Sequence, residues 1–83
     1  MININEIRLT KVRHTTELMK KTNVVGVAIG YKEKEGQKTE TPSLVVMVRK
    51  KVPLSKLEAS DVVPTEIEGI VTDVREVGEI KAL

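Results

Sequence analysis

Apolar and polar positions follow two different periods along the chain, and the change of period marks out its elements. From about residue 5 to 21 the pattern predicts a helix. Asn3 or Asn5 can serve as N-cap, and Asn3 and Glu6 have the spacing of a capping box. Lys20 and Lys21 suit the negative end of its dipole. Ile4, Ile7, Leu18 and Met19 supply apolar surface, but the middle is polar and the stripe weak. Such a helix is expected to rely on tertiary contacts, with its own sheet or with another chain.

The period then shortens to two, and residues 23–32 predict a strand. Val25, Val27, Ile29 and Tyr31 share one face; Val24, Gly26, Ala28 and Gly30 share the other. Glycine within a strand often marks a close approach, so the preceding helix is expected to pack across the small-residue face. Residues 33–42 are polar, contain Gly36 and predict the loop of a hairpin. A second strand follows over 43–52, and its unbroken apolar run from Leu44 to Val48 predicts a central position, with Arg49, Lys50 and Lys51 emerging into water. Pro53 and Pro64 bracket a connection in which Ser55 to Glu58 has capping-box spacing, enough for one helical turn. Glu68-Gly69 predicts a turn or bulge before an alternating strand over 70–77. The expected architecture is α+β: an N-terminal helix packed on a small, mostly antiparallel sheet of three to four strands, in one domain spanning 1–83.

Composition limits the core. Tyr31 is the one aromatic residue among 83, so packing must come from Val, Ile, Leu, Met and Ala, rich in β-branched side chains that favour sheet. Without cysteine there is neither a disulfide framework nor a thiolate metal site, which fits a reducing compartment. No apolar run reaches the length of a membrane span, and the polar start is not that of a signal peptide. The expected location is the cytoplasm, or a soluble assembly such as a virion, with no membrane partner. Net charge is +2, but residues 1–56 carry 12 Lys and Arg against 5 Asp and Glu, while residues 57–83 carry 2 against 7. That polarity suits association between copies or steering of an anionic partner, although two solvated surfaces would show it as well.

Candidate chemistry is sparse. Nucleophilic catalysis needs a nucleophile, a base and an orienting group within reach of one another. The one histidine, His14, lies mid-helix, and Ser43, Ser55 and Ser60 are accounted for by a strand start, a cap and a loop. The pairs Glu33/Glu35, Glu66/Glu68 and Asp73/Glu76 do not form a calcium loop. Gly26 and Gly30 lie inside a strand, where a phosphate-binding loop does not place its glycines. No catalytic residue, metal ligand or cofactor is therefore assigned. Arg8, Lys11, Arg13, Lys20, Lys21 and Arg49 to Lys51 can meet phosphates, but Glu6 and Glu17 interrupt the charge and Tyr31 alone can stack on a base, which ranks nucleic acid below protein as a partner.

The run from Asn23 to Tyr31, with Ser43 to Val48, Lys51-Val52-Pro53, Val63-Pro64, Ile67 to Val74 and Glu76-Val77-Gly78, resembles the region that precedes the peptidase domain in a group of bacterial and phage trypsin-like serine peptidases. The likeness covers about three-quarters of the chain. It implies that catalytic His, Asp and Ser belong to a following domain, and that this chain is the leading domain alone, with an accessory or pro-segment-like role. Taken together, the residues and the resemblance predict a non-enzymatic interaction and assembly domain. It would self-associate or dock on a larger protein, such as a peptidase domain or a particle shell, through its helix and a sheet edge. Leu18, Met19 and Tyr31 are expected to supply apolar contact, with Arg49 and Lys50 at the rim. The alternatives are a structural subunit of a phage particle, a small basic nucleic-acid module, and an inhibitor or chaperone of a separately encoded peptidase.

Overall fold

Asn3 starts the first element. Its backbone is extended and its side-chain Oδ1 accepts the Glu6 N–H at 2.9 Å, which satisfies one of the amide donors that a helix start leaves without a partner. The helix α1 runs Ile4–Met19, slightly earlier than the expected 5–21, and Lys20 occupies the C-cap. The computed structural model describes residues 3–78, the Leu54 side chain excepted; the ends of the expected 1–83 unit lie outside the described residues.

Four strands follow: β1 (Val24–Lys34), β2 (Gln37–Val48), β3 (Glu66–Ile67) and β4 (Ile70–Glu76), in the spatial order β1-β2-β4-β3. The β1–β2 and β3–β4 ladders are antiparallel, and β2–β4 is parallel, with Leu44 opposite Thr72 and Val48 opposite Glu76. The fold is thus α+β, one helix on a four-stranded mixed sheet, and β2 takes the internal position its apolar run implies. Two 3-10 turns, Leu54–Lys56 and Ala59–Asp61, occupy the connection that makes the parallel return.

Two strand ends differ from expectation. The polar segment 33–42 is paired rather than looped: Glu33 lies opposite Lys38 and Lys34 opposite Gln37, and the turn tightens to Glu35-Gly36. Both faces of that arm are polar, so it carries no alternation to read. At the other end β2 stops at Val48 rather than residue 52. Asn23 takes over there: its carbonyl accepts the Arg49 N–H at 2.9 Å, its Oδ1 accepts the Lys50 N–H at 3.2 Å, and its amide donates to the Lys50 carbonyl. Asn23 has φ +79°, a left-handed conformation that asparagine tolerates better than most residues. Asn23→Ala combines a strained backbone with the loss of these side-chain bonds, and should lower unfolding free energy by about 2 kcal/mol in urea titration.

Glu68-Gly69 is a turn, as the sequence predicts, and both residues have positive φ (+51° and +80°). That is the backbone of a two-residue hairpin whose twist matches its strands. Gly69→Ala is expected to cost about 1 kcal/mol in the same titration, although a Cβ there would meet no atom within 4 Å.

The helix covers the face of the sheet opposite to the one the small residues suggest. Val27 and Ile29 join Leu44, Val46, Val48, Ile67 and Ile70 beneath Ile7 and Leu18 of α1, and this is the core. A register shift between Val24 and Gly26 lets Val24 join the same cluster. The larger side chains decide which face is covered, because burying them removes more apolar area from water. Gly26 and Gly30 do mark close approaches, but of side chains. A Cβ on Gly26 would lie 2.6 Å from Met47 Cε, and one on Gly30 would lie 3.2 Å from Val45 Cγ2 and 3.9 Å from Arg75 Nη2.

Candidate interaction surface

The core-facing side of α1 is set by Ile7, Thr10 and Leu18, all buried. Its other side carries Leu9, Val12 and Met19, which are 57, 73 and 42% exposed; Ile4, 53% exposed, lies on the flank nearer the core, beside Tyr31 and Pro42. Leu9 and Val12 are three apart, as neighbours along one helix face must be.

Below this face, α1 is pinned to the β3–β4 turn. Glu68 accepts two bonds from Arg13, from Nε at 3.1 Å and Nη2 at 3.0 Å, and its Oε2 lies 2.7 Å from His14 Nε2. The other ring nitrogen of His14 is 3.5 Å from Glu17. The Arg13 bonds first, and then His14, hold the Glu68 carboxyl below its ordinary value. Both Glu68 oxygens are thus engaged by groups that orient α1 against the sheet. Neither the pairing of Arg13 with Glu68, 55 residues apart, nor the role of His14 carries a sequence signal, because the pattern shows only two solvated charged segments.

On the opposite face of the sheet Arg75 reaches from β4 across β2 to β1. Its Nε donates to Asp73 Oδ2 at 2.9 Å, its Nη2 donates to the Tyr31 carbonyl, and its Nη1 is 3.9 Å from Glu33. Asp73 Oδ2 also accepts the Glu33 N–H at 2.9 Å, next to the second register shift of β1. Burial pushes the Asp73 carboxyl up, but the Glu33 amide and the Arg75 guanidinium outweigh it and hold the group below its ordinary value. This network ties the polar hairpin arm to the body of the sheet.

The five residues expected at an interface are not brought together. Leu18 is 2% exposed and belongs to the core, so it cannot supply surface contact; on the helix it falls on the side of Ile7, not that of Val12. Met19 is exposed at the C-terminal end of α1, and Arg49 and Lys50 are exposed just past the end of β2, with their backbones held by Asn23. Tyr31 sits in the second half of β1, in a hollow shared with Ile4 and Pro42, and Lys38 Nζ lies 5.1 Å from its ring centroid. The exposed residues that sequence reasoning missed are Leu9 and Val12. Their separation was legible, but the polar residues between them hid it.

A second apolar feature is a hollow of about 210 Å³ between the strand ends and the 3-10 connection, lined by Val24, Val48, Val52, Leu57, Val63 and Val74. Among the described residues β1, an 11-residue strand, pairs only with β2 and has no strand on its outer edge. No helix among the described residues is long and apolar enough to cross a membrane.

No curated protein matches the chain. The sequence model of the NARROW LEAF 1 N-terminal domain matches residues 4–77, from the first residue of α1 to the residue after β4. The helix, the whole sheet and the exposed face of α1 all fall within that match, and the chain belongs to the NARROW LEAF 1 N-terminal domain family.

Proposed function

We propose that this chain is a non-enzymatic protein-interaction and assembly domain that works by presenting the outward face of α1, with the free edge of β1 as a secondary surface. The observation that carries this reading is the exposure of Leu9, Val12 and Met19 on a helix whose opposite side already fills the core. A helix that is apolar on both sides is one that is covered on both sides in its working state. The contacts of Glu68 with Arg13 and His14 accord with the same reading, since they join the helix to the β3–β4 turn and leave its outward face uncovered.

A docking role on a larger protein accords with the name of the family, which describes an N-terminal domain. The resemblance of Asn23 to Gly78 to the region ahead of trypsin-like peptidase domains supports a peptidase as that larger protein. A phage particle shell is the alternative host that the same resemblance allows. The test is a photo-crosslinking amino acid at position 12, in the organism that encodes the protein. One defined crosslinked product, to itself or to a single other protein, is the expected result. Illumination that yields no specific adduct from position 12, while the domain is folded and abundant, would remove the interaction reading.

A further inference from the structure

The outward face of α1 has a regular spacing. Asn5, Leu9, Val12, Thr16 and Met19 are separated by four, three, four and three residues, and all are exposed. That is the spacing a helix-pair seam uses, with positions recurring every 3.5 residues on average. Two of the five positions, Asn5 and Thr16, are polar, and their placement restricts how a partner can align.

We propose that a second copy of this chain covers this face, pairing α1 with α1 in antiparallel orientation about a two-fold axis between residues 10 and 11. The inference rests on the interaction reading above and names its partner. In this register Leu9 layers against Val12 of the second copy, and Asn5 against Thr16, so apolar meets apolar and polar meets polar. Each layer recurs on the other side of the axis, as an isologous interface requires.

Charge selects the same arrangement. On one flank of the seam stand Glu6, Arg13 and Lys20, and on the other Arg8 and Thr15. Antiparallel pairing sets Glu6 within about 3 Å, along the axis, of the level of Arg13 from the second copy. It sets Arg8 against the neutral Thr15. Parallel pairing would instead oppose Arg13 and Arg8 on both sides of the seam, two like-charge contacts with no acid between them. Arg13 already meets Glu68 at 3.0 Å, so its position beside the seam is held before the second helix arrives. The resulting particle has four layers, with two helices enclosed between two sheets.

The experiment uses the full chain, which contains no cysteine of its own. Light scattering after size exclusion should give twice the 9.2 kDa chain mass, and Val12→Glu should return it to 9.2 kDa with an unchanged far-UV circular dichroism spectrum. Glu6→Lys should weaken the dimer at least about tenfold at low salt, an effect a purely apolar contact would not show. Orientation is read by disulfides. A mixture of Leu9→Cys and Val12→Cys chains should form the mixed disulfide under mild oxidation. Met19→Cys should form none, because the two positions lie about 25 Å apart along the seam. A monomer at all concentrations, a dimer untouched by Val12→Glu, or an efficient Met19→Cys disulfide would each overturn the proposal. If the purified chain is monomeric while position 12 still crosslinks one other protein in the cell, the self-pairing fails and the interaction reading survives. If no crosslink forms either, both fail.

Discussion

Leu18→Ala is expected to lower the unfolding free energy by about 3 kcal/mol, while Met19→Ala changes it by less than about 0.5 kcal/mol. The two residues are adjacent, apolar and similar in size, so the contrast isolates burial. Leu18 packs with Ile7, Leu44, Val46 and Ile70, and shortening it leaves a cavity that the surrounding strands close only in part. Met19 is 42% exposed, and its loss removes little contact within the chain. A chain of this length has a stability of about 4–12 kcal/mol, so the first variant loses a large part of it. Urea unfolding should show a midpoint lowered by about 2 M for Leu18→Ala and nearly unchanged for Met19→Ala. Equal shifts would mean that α1 is rotated from the orientation described. The measurement belongs at low protein concentration, where pairing between copies adds nothing to apparent stability.

Asp73→Ala is expected to lower the unfolding free energy by about 2 kcal/mol near neutral pH. The carboxylate receives the Glu33 amide and the Arg75 guanidinium, and its removal leaves a part-buried donor on each without that acceptor. The effect depends on pH with a definite sign. The folded-state group titrates below its ordinary value of 3.8, so its contribution is complete above that value and disappears as pH falls through the folded one. Wild type and Asp73→Ala should therefore differ most above about pH 5 and converge in strong acid. Glu68 is depressed in the same direction, so wild type loses part of its own acid stability there; subtracting the variant separates the two. A stability difference that stayed constant between neutral and strongly acidic solution would exclude the charged form of Asp73 as its source.

Of the site, rather less was legible than of the fold. A cap at Asn3 or Asn5, the central position of Leu44 to Val48 and a turn or bulge at Glu68-Gly69 each depend on residues close together in sequence and were expected; the structure selects Asn3 and the turn. The exposure of Leu9 and Val12 was not. On a helix with apolar residues on two sides, sequence cannot tell which side turns to the sheet, and Leu18, expected at the surface, is core. Arg13, His14, Glu68, Asp73 and Arg75 are charged or polar residues of ordinary spacing, and only the fold reveals what they hold.

Local pattern was enough for the helix, the two long strands and the last strand, and left the strand count at three to four. Hydrophobic periodicity, turn glycines and the cap residue act over a few positions, and their free energies are set locally. The sequence also determined that the core is aliphatic, because one tyrosine is the whole aromatic content. The tertiary structure decided which face of β1 the helix covers, that β4 lies parallel to β2, and that the polar arm over 33–42 is strand. Those outcomes depend on total apolar area and on hydrogen bonds between residues 40 or more apart, such as Asp73 with Glu33. No window of sequence contains both partners of such a contact, so the competition between alternative packings is resolved only when the whole chain has folded.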